Sequence, residues 1–160
     1  MKVEVKHSIT INHYQRLSDA KRFQLKHFCK QHKQSQPKQN EDVETIFQGN
    51  QLIGLVRLVP IPNQQTYWLR ALYITPTARN QGYARQLMQH CLHHYSSHRI
   101  VIFALNHLED FYHSLGFEKL SENALPEILL GKWQKSQQEG KTWLLRVSKG
   151  TLNKPTLTPP

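Results

Sequence analysis

The stretch Leu72-Tyr73-Ile74-Thr75-Pro76-Thr77-Ala78-Arg79-Asn80-Gln81-Gly82-Tyr83-Ala84 constrains this chain more than any other. An apolar run of strand character stops at a proline, which cannot donate to a sheet ladder. Beyond a short polar loop, Ala84, Leu87, Met88, Cys91, Leu92 and Tyr95 recur at three- and four-residue intervals, the period of an amphipathic helix. Arg79-x-x-Gly82-x-Ala84 therefore sits where a strand hands over to a helix. Small residues at 82 and 84 let a ligand approach the backbone, and the amides of a first helical turn have no partner within the helix. The helix dipole adds about half a positive charge at that end. The arrangement suits a pyrophosphate. The six-residue pattern is common by itself; the strand before it and the helix after it give it weight.

The rest of the chain supplies a framework around this loop. Val3–Val5 reads as a short first strand, and Leu17, Phe23, Leu25 and Phe28 thread a basic stretch at helical spacing, as one or two helices. Residues 34–42 suit an exposed connection. Two strands follow, Val43–Gln48 and Leu52–Val59, joined at Gly49-Asn50 in a tight hairpin. Tyr67–Ile74 is the strand that ends before Pro76, and Gly82–Tyr95 is the helix. Ile100–Leu105 is continuously apolar, as expected of a strand covered on both faces. Residues 107–115 read as a short helix, Phe117–Leu120 as a strand, Leu125–Gln138 as a helix and Thr142–Val147 as a last strand. Hairpins mixed with crossover connections imply an α/β (α+β) domain with a mixed sheet. The expected organisation is one domain over residues 1–150 and a disordered tail over 151–160, where three prolines accompany little to bury.

With these elements placed, the chain resembles the GNAT N-acetyltransferase superfamily, whose pyrophosphate loop has the form Arg/Gln-x-x-Gly-x-Gly/Ala between a strand and a long helix. A second match lies downstream, where Phe103-Ala104-Leu105-Asn106 ends a strand and Phe111-Tyr112-His113-Ser114-Leu115-Gly116-Phe117 follows. The resemblance covers residues 43–120 and implies a single-domain GNAT-like fold, a mixed, mostly antiparallel central sheet flanked by helices. It implies an acetyl-CoA-dependent enzyme in which an amine attacks the thioester directly in a ternary complex. Backbone groups of Leu72, Tyr73 and Ile74 would face the pantetheine and thioester and stabilise the oxyanion. Arg79, Asn80, Gln81, Gly82, Tyr83, Ala84 and Arg85 would cradle the pyrophosphate. Asn106 would reach the pantetheine arm, and Tyr112 would sit near the sulfur as the general acid, since a phenol of pKa about 10 stays protonated at neutral pH. Many relatives carry a Glu near the fourth strand that helps deprotonate the amine. The matching strand here reads Trp68-Leu69-Arg70-Ala71-Leu72, without a carboxylate. Glu44 and His107 are the candidate bases, each with an alternative as a surface or capping residue. The missing Glu also keeps open a non-catalytic acyl-CoA sensor or RNA-associated module of the same fold. The segments that shape the acceptor site match no subfamily, so the amine is unassigned.

Other features have structural explanations. Gly116 suits a helix C-terminus, and Trp68, Trp133 and Trp143 suit a core or a pocket wall. His90, His94 and His98 share a four-residue spacing but fall on the polar side of their helix, opposite Leu87, Cys91 and Tyr95, so no metal is expected. The net charge of +10 is uneven: residues 1–40 hold nine Lys or Arg against Glu4 and Asp19. Such a region attracts polyanions without choosing among RNA, an acidic substrate and cofactor phosphates. Lys2, Glu4 and Lys6 interrupt any apolar leader, and Cys29 and Cys91 fit neither a disulfide framework nor a clustered zinc site. A reducing cytoplasm is the expected compartment, with no membrane segment. Oligomeric state is open, a homodimer included.

Overall fold

The computed structural model describes residues 8–62, 64–119 and 121–146. The expected strand at Val3–Val5 and the tail at 151–160 lie outside them. Six strands form one sheet in sequence order: β1 (Ile9–His13), β2 (Asp42–Gln48), β3 (Gln51–Pro60), β4 (Thr66–Ile74), β5 (Arg99–Leu105) and β6 (Lys141–Arg146). The sheet is mixed. β1 runs antiparallel to β2 and β6 antiparallel to β5, whereas β4 and β5 are parallel from Thr66↔Arg99 to Leu69↔Ile102. The parallel pair is joined by helix α2 (Tyr83–His94), the crossover that such a pair requires. Helices α1 (Asp19–Gln31), α3 (Glu109–His113) and α4 (Leu130–Gln138) complete the elements.

The chain forms two compact units, one of residues 1–57 with 71–91 and the other of residues 58–70 with 92–160. In the first, Ser18 caps α1 by accepting from the Lys21 amide at 3.3 Å, and Asp19 and Lys30 complement the two ends of the helix dipole. Leu25, Phe28 and Cys29 of α1 then bury against Val43, Phe47, Leu52 and Leu55 of β2 and β3. Phe23 does not join them. It is 73% exposed, because its place in the helical period puts it with the polar residues of α1. The hairpin turns at Gly49, whose φ of +59° is the left-handed conformation that glycine adopts at least cost. Behind α1, buried Arg57 pairs with Glu41 and donates to the carbonyls of Ser35 and Gln36 at 2.7 and 3.1 Å, pinning the connection from α1 to β2.

β3 and β4 meet closely at Gly54. A Cβ there would stand 2.5 Å from Ile74 Cδ1 and 2.6 Å from the Tyr73 carbonyl. Gly54→Ala is therefore expected to destabilise the fold by about 1–3 kcal/mol through overpacking. Denaturant melts check this, and an unchanged midpoint would contradict the contact.

In the second unit, Leu129 and Trp133 pack on Val101, Trp143 and Leu145, with Trp68 and Phe103 at the margin. Two expectations are corrected here. Phe117–Leu120 does not form a strand of the sheet: within its described residues the pairing is the single bridge Glu118↔Leu145. The helix expected from Leu125 begins at Leu130: Pro126 disfavours helical geometry at Leu125 before it and is itself extended at ψ +132°, and a 3-10 turn over Glu127–Leu129 leads into α4.

Candidate active site

The loop between β4 and α2 is tightly built. The Thr75 amide donates to the Ile53 carbonyl at 2.8 Å, and Pro76–Ala78 forms a 3-10 turn. Asn80 and Gly82 then take φ of +63° and +83°. Short polar residues and glycine tolerate that region best, so the loop reverses at the two positions the sequence equips for it. The first helical bond of α2 runs from the Gln86 amide to the Gly82 carbonyl. The amides of Tyr83, Ala84 and Arg85 thus precede the ladder at the positive end of the helix dipole. Among the described residues nothing lies within 4 Å of a Cβ built on Gly82, so there is space above the backbone for a ligand. Donor set and clearance fit a pyrophosphate.

Two side chains brace this arrangement. Arg79 donates from Nε to the Ile74 carbonyl at 2.8 Å and lays its guanidinium 5.3 Å from the centre of the Tyr73 ring, tying the loop back to β4. Gln48 at the end of β2 donates to the Tyr83 hydroxyl at 3.1 Å and holds the start of α2. Tyr73 makes a contact that sequence reasoning missed. Its hydroxyl lies 3.0 Å from Nδ1 of His32, the C-cap residue of α1, and the His32 ring packs 4.4 Å from Phe28. The partners are 41 residues apart with no shared motif, so only the fold reveals them.

In the second unit, Asn106 opens a 3-10 turn at the end of β5, and the Thr142 hydroxyl donates to its Oδ1 at 2.9 Å. This fixes the amide and leaves its NH2 as the donor end. His107, beside it, is exposed. Tyr112 on α3 is 4% exposed, set edge-on between Phe111 and Phe117, and burial pushes its phenol up to about 12. Gly116 closes α3 with φ of +92°. Its amide donates to the His113 carbonyl and that of Phe117 to the Tyr112 carbonyl, the paired bonds of a glycine-terminated helix.

Glu44 is 1% exposed and faces α2 at His90 and Cys91, about two turns beyond the start of that helix. Among the described residues its Oε2 has no hydrogen-bond partner, and His90 Nε2 stands 3.8 Å away, outside hydrogen-bond range. Burial raises its carboxyl to about 7, Asp42 pushes the same way and Arg16 opposes. The folded chain therefore holds this proton more tightly than the unfolded chain. The stability that Glu44 contributes is full below the ordinary value of 4.5, falls as pH rises toward about 7 and then levels off. Glu44→Gln removes that cost. It is expected to raise stability by roughly 3 kcal/mol at pH 8, with the gain vanishing toward pH 4.5. Denaturant melts across that range check it, and a gain independent of pH would contradict it.

His98 packs against Tyr67 and Tyr95, and among the described residues no three potential ligands come together.

A family model described as an acetyltransferase (GNAT) domain matches residues 14–127. This chain is a member of the GNAT family. No curated protein sequence matches it. Solved structures extend the likeness in fold. N-acetylglutamate synthase from Neisseria gonorrhoeae, complexed with coenzyme A and L-arginine, superposes with a TM-score of 0.63 at 14% identity over 88% of this chain. The GNAT chain spans 33% of that synthase. Escherichia coli ElaA gives 0.60 at 15% identity, covering 88% of this chain and 99% of its own. Tetrahymena GCN5 gives 0.62 at 17% identity, covering 86% and 94%. The mixed sheet with its flanking helices is the GNAT fold.

Proposed function

We propose that the chain is an N-acetyltransferase that moves the acetyl group of acetyl-CoA to a primary amine by direct attack in a ternary complex. The observation that carries this reading is the left-handed loop at Asn80 and Gly82, which presents the first-turn amides of α2 beneath open space. Arg79, Asn80, Gln81, Gly82, Tyr83, Ala84 and Arg85 hold the pyrophosphate, and backbone groups of Leu72, Tyr73 and Ile74 serve the pantetheine and thioester. The amide of Asn106 donates to the pantetheine arm. Acetyl-CoA supplies an activated acyl carbon, and what the chain adds is orientation, oxyanion stabilisation and proton handling.

Tyr112 donates to the departing sulfur. A phenol at about 12 is a weaker acid than a thiol of ordinary pKa about 8.5. Its contribution is thus a hydrogen bond that strengthens as charge builds on sulfur, not a free tyrosinate. The absence of a carboxylate from Thr66–Ile74 favours a second reading, a non-catalytic acyl-CoA sensor or RNA-associated module. Incubation with acetyl-CoA and a panel of amines separates the two. Thiol release with an acetylated amine supports the transferase, and coenzyme A binding without acetylation of any amine supports the sensor.

The placement we propose is cytoplasmic. Cys29 and Cys91 are buried free thiols, and among the described residues no helix is long and apolar enough to cross a membrane. α1 carries Lys21, Arg22, Lys26 and Lys30 against Asp19, with exposed Phe23 among them. Nonspecific attraction of polyanions follows from that charge. Retention of an RNA oligonucleotide is expected at low salt and should weaken steeply as salt rises, through counterion release. No retention at low salt in a filter-binding assay would remove nucleic acid as a partner.

A further inference from the structure

We propose that Tyr73 and His32 form the proton relay that deprotonates the incoming amine, in place of the carboxylate that β4 lacks; the inference rests on the transferase reading above. Tyr73 lies in the segment assigned to the thioester, and its side chain turns toward α1. Its hydroxyl stands 3.0 Å from His32 Nδ1, the His32 ring is packed 4.4 Å from Phe28, and both residues of the pair are half-buried. The relay is thus held in one geometry while keeping access to solvent. Among the described residues, the Tyr73 phenol from β4 faces His32 and the Arg79 guanidinium lies over the Tyr73 ring. Phe28 contributes an apolar wall from α1.

The chemistry needs such a pair. A primary alkylamine resembles a lysine side chain, with a pKa of about 10.4, and must lose a proton before it can attack. Imidazoles as a class change charge between about pH 5 and 8, the range in which a base for this step is most effective. The phenol oxygen accepts a proton from the alkylammonium while the phenol passes its own proton to Nδ1 of neutral His32. A free amine, a neutral phenol and an imidazolium result. The amine nitrogen then bonds to the thioester carbon and the carbon–sulfur bond breaks. The second nitrogen proton ends on sulfur, and the imidazolium returns the first to solvent. Tyr73 is the catalytic member, and His32 acts through it as a positioning and proton-accepting residue.

Two nucleophiles test the relay: n-butylamine, which is protonated at neutral pH, and hydroxylamine, which is not. Their acetylation is measured in the unsubstituted chain and in His32→Gln, Tyr73→Phe and Glu44→Gln, with calorimetry of coenzyme A alongside. His32→Gln and Tyr73→Phe are each expected to lower butylamine transfer by about a hundredfold or more. Hydroxylamine transfer and coenzyme A affinity should stay within a few-fold. The acid limb of the butylamine pH profile should vanish in His32→Gln and persist in Glu44→Gln. Undiminished butylamine transfer in His32→Gln, or equal losses with both nucleophiles, would overturn the relay. Loss of the limb in Glu44→Gln alone would assign the base to Glu44 instead. Coenzyme A binding with no transfer by the unsubstituted chain to either nucleophile or to any amine of the panel would refute the transferase reading and the relay with it.

Discussion

Gly82→Glu is expected to abolish coenzyme A binding. Gly82 carries φ of +83° and lies at the turn from loop to helix, directly before the amides of Tyr83, Ala84 and Arg85. A Cβ at this position meets no atom of the described residues within 4 Å, which leaves room for a side chain. The space that a side chain would fill is the space assigned to the pyrophosphate. A glutamate adds three penalties for the ligand: it occupies that space, it sets a negative charge against a polyanion, and it neutralises the positive end of the α2 dipole. Gly82→Ala separates these from backbone strain, since a non-glycine residue with left-handed φ costs about 1–2 kcal/mol. The alanine variant should weaken binding modestly, and the glutamate variant should leave no measurable heat of binding in calorimetry. Undiminished affinity in Gly82→Glu would sink the assignment of the loop.

Tyr112→Phe is expected to lower the turnover number by about a hundredfold or more, the scale of a positioned proton donor. The ring remains wedged between Phe111 and Phe117, so folding and coenzyme A affinity should change little. The Michaelis constant for acetyl-CoA should therefore stay similar while turnover falls, the pattern of an interaction made in the transition state. With its phenol at about 12, Tyr112 stays protonated through any ordinary assay range, and no alkaline loss of activity between pH 7 and 10 should trace to it. Unchanged turnover at saturating substrates would return Tyr112 to the role of a packed aromatic.

The two elements most legible in the sequence were those whose chemistry is local. Gly49-Asn50 between alternating apolar runs announces a hairpin, and Arg79-x-x-Gly82-x-Ala84 between a strand and a 3.6-period helix announces the loop that turns from β4 into α2. The left-handed Asn80 and Gly82 give that pattern its physical content. Local patterns also misled. The sequence reading places no strand at β1, where Ile9 and Ile11 alternate and pair with Gln48 and Ile46. Phe117–Leu120 has strand-like residues, yet within its described residues it joins β6 through the one bridge Glu118↔Leu145.

Features that depend on contacts distant in sequence were invisible. Glu41 and Arg57 read as ordinary surface charges until the fold buries them together. The same holds for His32, which sits in a polar, basic stretch and meets Tyr73 only after α1 packs on the sheet. Glu44 is a candidate base in the sequence through its place on the second strand. The fold encloses it against His90 and Cys91, which explains its raised pKa without requiring a catalytic role.

Incubation of the purified chain with acetyl-CoA and a broad amine panel, with thiol release and acetylated product followed together, tests the transferase reading most directly. The expected result is at least one amine that gains one acetyl group for each thiol released, with the reaction lost in Gly82→Glu. Tight binding of coenzyme A with no acetylated product from any amine would contradict it.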